Sequence, residues 1–167
     1  MTQRLLSRSA AALAMAIFAS TAVPAQGLLD AKRVSALLAA EAVAAAVQAC
    51  VQRNHQVAAV VLDYSGVQQA SLRGDGANVQ NMFNAFDKAF TAATFGMDTA
   101  AIVERSRTGS VSSSFAKVPH LLLASGGVVI KVGDQVIGAI GVSGAPGGDN
   151  DAVCAKAGLD KVRDRLK

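Results

Sequence analysis

The chain has no tryptophan, one tyrosine and six phenylalanines among its 167 residues. So few rings give no stacking platform for sugars or unpaired bases, and no basic run is interleaved with aromatics, which argues against nucleic acid. Histidine is nearly absent: His55 and His120 are the only two. A Ser-His-Asp triad would have to use one of them. Gly141-Val142-Ser143-Gly144-Ala145 approaches a nucleophile elbow but lacks its last glycine. The only glutamates, Glu41 and Glu104, fall on different predicted helices, so no carboxylate pair points to acid–base work. No G-x-G-x-x-G follows a strand, which leaves dinucleotide binding unsupported.

Charge is sparse too: 16 basic residues against 12 acidic ones give +4. The leader explains part of that excess. Arg4 and Arg8 form a basic start, Ala10 to Ser20 an apolar stretch, and Val23-Pro24-Ala25 a small-residue cleavage site. The apolar stretch is shorter than the roughly 20 residues that a spanning helix needs. Residues 1–25 are therefore read as a signal peptide and 26–167 as one domain, periplasmic or secreted. Removing two of the 16 basic residues leaves 14 against 12, or +2, too little for electrostatic capture of a polyanion. No later run is long enough to span a membrane. No cysteine near the cleavage point marks a lipoprotein. Cys50 and Cys154 are an even pair in an exported chain, which invites a disulfide; two buried thiols are the other reading. Their spacing fits no metal motif.

What is present is alternation of helix and hairpin. Leu28 to Arg53 is Ala-rich and free of Gly and Pro, with Asp30 as its cap. Val57–Tyr64 and Val67–Leu72 read as strands around Ser65-Gly66. The Arg73-Gly74-Asp75 tripeptide is read as part of a turn. Val79–Thr94 reads as a helix with Met82, Phe83, Phe86, Ala89, Phe90 and Ala93 on one face, ended by Gly96. Asp98 caps a short helix to Ser106, and Arg107–Lys117 is a polar loop. Val128–Val132 and Gln135–Val142 flank the Gly133-Asp134 turn. Asp149–Leu166 is the last helix. The order α-β-β-α-α-β-β-α predicts an α/β (α+β) domain, one antiparallel sheet covered by helices. The apolar content, 51% with the leader, and the Phe-rich helix face predict a homo-oligomer.

The most informative stretch is the second hairpin together with the loop after it. Val136-Ile137-Gly138-Ala139-Ile140-Gly141-Val142-Ser143-Gly144 runs into Pro146-Gly147-Gly148 and then an Asp-rich helix start at Asp149 and Asp151. Backbone N–H groups around Ser143, Gly144, Gly147 and Gly148 suit an anion; a tight turn with a cap is the plainer reading. Together with Pro119, Leu121 to Gly127, Asp151 to Gly158, Ala59 to Asp63 and Lys88 to Gly96, this stretch resembles the GlcG/HbpS-like haem-binding (haem-degrading) family over about residues 28–166. The resemblance implies a profilin-like or PAS-like sandwich. In that arrangement the first and last helices lie together, which would bring Cys50 to Cys154. It also implies an exported protein that holds haem or a related tetrapyrrole, with the larger rings that relatives form.

On that reading His120 and His55 are the candidate iron ligands, with Met82, Met97 and Tyr64 as alternatives. No Cys-x-x-Cys-His motif appears, so covalent attachment is disfavoured. Arg105, Arg107, Lys117 and the glycine-loop amides are candidates for the propionates or for another small anionic ligand. No residue pattern demonstrates catalysis. The alternatives are an enzyme or accessory factor acting on a small carboxylate such as glycolate, and a purely structural oligomer.

Overall fold

The computed structural model describes Gly27 and residues 31–167. The leader, its cleavage position and the cap expected at Asp30 lie outside the described residues. Helix α1 (Ala36–Val51) instead starts at Ser35, whose hydroxyl accepts the Leu38 N–H. The first hairpin is β1 (Ala58–Asp63) and β2 (Gln68–Arg73). Its turn is held by Asp63, whose carboxylate accepts the N–H groups of Ser65 and Val67. Asn78 caps α2 (Val79–Phe95), and Gly96, in the left-handed region, ends it. Next come α3 (Thr99–Arg107) and a 3-10 turn, Ser113–Lys117, inside the stretch expected to be loop. The second hairpin is β3 (Gly127–Val132) and β4 (Gln135–Ser143). Helix α4 (Gly148–Asp160) stops six residues short of the expected Leu166, and a 3-10 turn at Arg163–Arg165 comes after it.

The four strands form one antiparallel sheet in the order β2-β1-β4-β3. The two hairpins thus join through their inner strands, with Ala58 opposite Ser143 and Asp63 opposite Gly138. Strand β1 is buried at all six positions because both faces of the sheet are covered. On one face Ala59, Val61, Ile130, Ile140 and Val142 pack against α1 and α4. There a disulfide joins Cys50 to Cys154 across the two helices, with Cα atoms 5.5 Å apart and no exposure of either residue. On the other face Ala58, Val60, Leu62 and Ala139 pack against α2. The expected antiparallel sheet, its helical cover and the pairing of first and last helices are all present.

Helix α2 sits differently from its periodicity. Its deepest row is Ala85, Ala89 and Ala92, whereas Phe83 is 58% exposed and Phe86 and Phe90 are half-buried. The cause lies in the sheet. Gly127 and Gly141 are cross-strand partners beneath α2, and a Cβ on either would collide with α2 backbone, at the Lys88 or the Ala85 carbonyl. Glycine below and alanine above let the helix lie close to the sheet, and the rings are displaced to its flank.

Candidate functional site

That displaced flank is the first element of the site. Phe83, Phe86 and Phe90 succeed one another at helical spacing along α2. The segment after the 3-10 turn crosses it. Thr91 Oγ1 donates to the Asp87 carbonyl and accepts the Leu122 N–H at 2.8 Å, tying that segment to the helix. Two residues earlier His120 adopts φ 65°, a left-handed conformation uncommon outside glycine. Its imidazole meets Phe86 and Phe90 edge to face, at centroid distances of 5.5 and 5.9 Å. His120 Nδ1 lies 3.0 Å from Asp87 Oδ1, and the histidine side chain is 62% exposed. Lys117 is exposed three residues upstream, at the end of the 3-10 turn. The result is an open apolar face with one outward-facing imidazole and a cation near it in the chain.

The glycine loop stands apart from this face and keeps the other histidine. His55, half-buried, shares a depression with Gly144, Pro146, Asn78 and Asn81. A Cβ on Gly144 would strike the Gln56 carbonyl, and one on Gly148 would lie 2.5 Å from the Ser125 carbonyl, so close packing accounts for both glycines. Ser143 is buried as the last residue of β4. Gly147 occupies the cap position of α4 without a side-chain cap, and Asp149 and Asp151 fill the first turn. The loop does hold a carboxylate, and it belongs to the chain: Asp151 Oδ1 accepts the Ala145 N–H at 2.9 Å. Arg107 pairs with Glu104 at 3.6 Å and lines a shallow depression with Leu123, Ser125 and Gly148. Arg105 is exposed on α3. The expected residues therefore fall into three places, His120 with Lys117 at one, His55 with Gly144 at another and Arg107 with Gly148 at a third, with Arg105 apart from them. Of the alternative ligands, Tyr64 lies under the Arg33 guanidinium, 5.5 Å from its ring centroid, and Met82 packs on the alanine cluster.

A buried ion pair that sequence reasoning missed ties α2 to the glycine loop. Lys88 Nζ lies 2.7 Å from Asp151 Oδ2 and donates to the Val142 carbonyl at 3.2 Å, with both side chains at most 5% exposed. The pair joins α2, β4 and the start of α4. Burial pushes the Asp151 carboxyl above the usual carboxylate range, while Lys88 and the Ala145 N–H pull it down. Gly126 lies over the pair, where a Cβ would meet both side chains. Asp87, Thr91 and Lys88 gave no local signal, because their partners are 31 to 63 residues away, and Asp151 was legible only as part of an Asp-rich helix start. Among the described residues no group of three His, Cys, Asp or Glu side chains is placed to hold a bare metal ion.

A four-stranded sheet with α1 and α4 on one face, α2 on the other and a polar-rimmed apolar flank defines the class, an α+β binding domain. The chain belongs to the family of haem-degrading HbpS-like proteins, whose model matches residues 34–160. It is similar to the solved structure of HbpS, at 31% identity over 80% of this chain and 93% of that one, with a TM-score of 0.75. A double mutant of Streptomyces reticuli HbpS matches at 29% identity over 92% and 97% of the two chains, with a TM-score of 0.76. A PduOC:heme complex shares the fold at 20% identity, over 78% of this chain and 95% of that one, with a TM-score of 0.71. Comparison with the curated proteins gives no match.

Proposed function

We propose that this protein binds haem on the outer face of α2, with His120 as iron ligand, and that it does so outside the cytoplasm. The observation that carries the reading is His120 itself. Its Nδ1 is engaged by Asp87, so Nε2 is left for a metal, and it stands over rings that suit a macrocycle. When bound, haem supplies a redox-active iron. The chain supplies the ligand, the apolar floor of Phe83, Phe86 and Phe90, and Lys117 for a propionate. The family and the PduOC:heme complex support the choice of cofactor. The buried disulfide supports an oxidising compartment. Among the described residues no helix is long and apolar enough to cross a membrane. The small-carboxylate reading has less behind it: the loop amide at Ala145 already holds the chain's own Asp151, and Arg107 faces Glu104.

The face is open, so a bound macrocycle keeps one side uncovered. A second copy seated there would cover it together with the exposed Val79 and Phe83, which is the form of homo-oligomer we favour.

The test is a haemin titration of the full protein and of His120→Gly. Glycine suits φ 65°, so the variant keeps its fold while losing the imidazole. We expect a saturable Soret band in the wild type, its loss or shift in the variant, and its return on adding free imidazole. Wild-type titration and spectrum in His120→Gly would exclude His120 as the ligand. A His55→Ala variant that alone abolished binding would move the site to the glycine loop.

A further inference from the structure

We infer that Asp87 is a positioning residue for His120: it fixes the imidazole as the Nδ1–H tautomer, turns the Nε2 lone pair outward, and strengthens it as a ligand. This rests on the haem reading above. A carboxylate oxygen only accepts, so the 3.0 Å contact between Asp87 Oδ1 and His120 Nδ1 requires the hydrogen on Nδ1. In the neutral ring Nε2 is then the bare nitrogen, and partial negative charge from the carboxylate makes it a better electron donor.

The contact is one part of a wider arrangement. Asp87 and Thr91 are one turn apart on α2, and they take hold of the crossing segment at residues two apart, His120 by its ring and Leu122 by its N–H. Thr91 Oγ1 also donates to the Asp87 carbonyl, which closes the loop of contacts. Leu121 N–H donates back to the Val118 carbonyl, and His120 takes its left-handed conformation within that turn. Phe86 and Phe90 meet the imidazole from the helix side, with interplanar angles of 73° and 63°. A surface contact made only for stability has no need of a left-handed histidine set edge-on against two rings. A ligand that must present one nitrogen in one direction does.

The experiment compares wild type, Asp87→Ala, Asp87→Asn and His120→Gly as full chains. In the ligand-free protein at alkaline pH, ¹⁵N NMR reads the tautomer of His120. We expect Nδ1–H in the wild type, a shift towards Nε2–H in Asp87→Ala, and partial recovery in Asp87→Asn, whose amide oxygen still accepts. With haemin, Asp87→Ala should lose about tenfold in ferric affinity with little ferrous change, which corresponds to a rise of about 59 mV in reduction potential. A wild-type Nε2–H tautomer, or an Asp87→Ala protein with unchanged tautomer, ferric affinity and potential, overturns the inference. If that happens while His120→Gly still abolishes binding, the haem reading survives and Asp87 alone is dismissed. A wild type without a saturable Soret band, or a His120→Gly protein with wild-type binding, overturns both.

Discussion

Lys88 and Asp151 show how one residue pair can hold distant parts of the chain. Removing one partner of such a pair strands the other charge in the core, which costs about 3–5 kcal/mol. Lys88→Met should therefore lower the unfolding free energy by that order at neutral pH. Its pH dependence has a definite sign. Burial already holds the Asp151 pKa above its ordinary value, and without Lys88 the Ala145 N–H and the more distant His55 are left to oppose that rise. An acid whose folded pKa is raised loses stability as pH climbs through that pKa and regains it on the way down. The deficit of Lys88→Met relative to wild type should be largest near pH 7 and shrink as pH falls through the raised pKa of the buried carboxyl into the ordinary carboxylate range, where it is neutral. Urea unfolding at a series of pH values measures it, and a deficit that grows with acidity would show that Asp151 is not the stranded charge.

Among the elements, α2 decides the most, because it forms the inner wall of the sheet and the outer face of the site at once. Its height above the sheet is set by Gly127 and Gly141. Gly141→Ala drives a methyl into the Ala85 carbonyl, so either α2 lifts or the strand bends; overpacking of this kind costs about 1–3 kcal/mol. The lift should also disturb Asp87, which rides on α2, and through it His120 on the crossing segment. Gly147→Ala is the control. It meets nothing within 4 Å, and its strain is confined to a backbone at φ 78° and ψ 135° that favours glycine, so about 1–3 kcal/mol is expected and the α2 face should be untouched. Urea midpoints and haemin titration of the two variants check both halves. Asp98 makes a related point. It holds the cap position of α3, yet its carboxylate accepts the Val129 N–H of β3, so it covers an exposed sheet edge.

At the scale of the molecule, the Cys50–Cys154 bridge closes a loop of 104 residues and clasps the first helix to the last. The chain-entropy model puts its contribution at up to about 4–5 kcal/mol. Cys50→Ala/Cys154→Ala should melt well below wild type, and wild type should resist reductant while folded because neither cysteine is exposed. Equal melting temperatures with and without the bridge would remove it from the stability of the fold. The exposed Val79 and Phe83 lead to a second whole-molecule prediction. Phe83→Glu should shift the wild-type oligomer towards monomer in sedimentation, and a wild type that is already monomeric at micromolar concentration would refute the oligomer.

Periodicity and turn chemistry by themselves determined the eight elements and their order, to within a residue or two for the strands. Those signals are local: alternation in β3 and β4, Gly96 at the end of α2, Gly133 in the hairpin. The candidate ligand His120 and the cysteine pair were legible as well, because scarce residue types draw attention to themselves. The orientation of α2 was not. Its phenylalanines have the spacing of a core stripe, and only the glycine pair on another hairpin decides that alanines go inward and rings outward. Ser35 caps α1, and α4 ended before Leu166, since capping is settled by the geometry of a single turn. Asp87, Thr91 and Lys88 became significant only when tertiary structure set each beside a partner dozens of residues away, and Asp151 changed from a helix-start residue to half of a buried pair. The separation of His120 from the glycine loop has the same origin: the two adjoin one family signature in sequence, but they sit against different stretches of α2, Asp87 for one and Asn81 for the other.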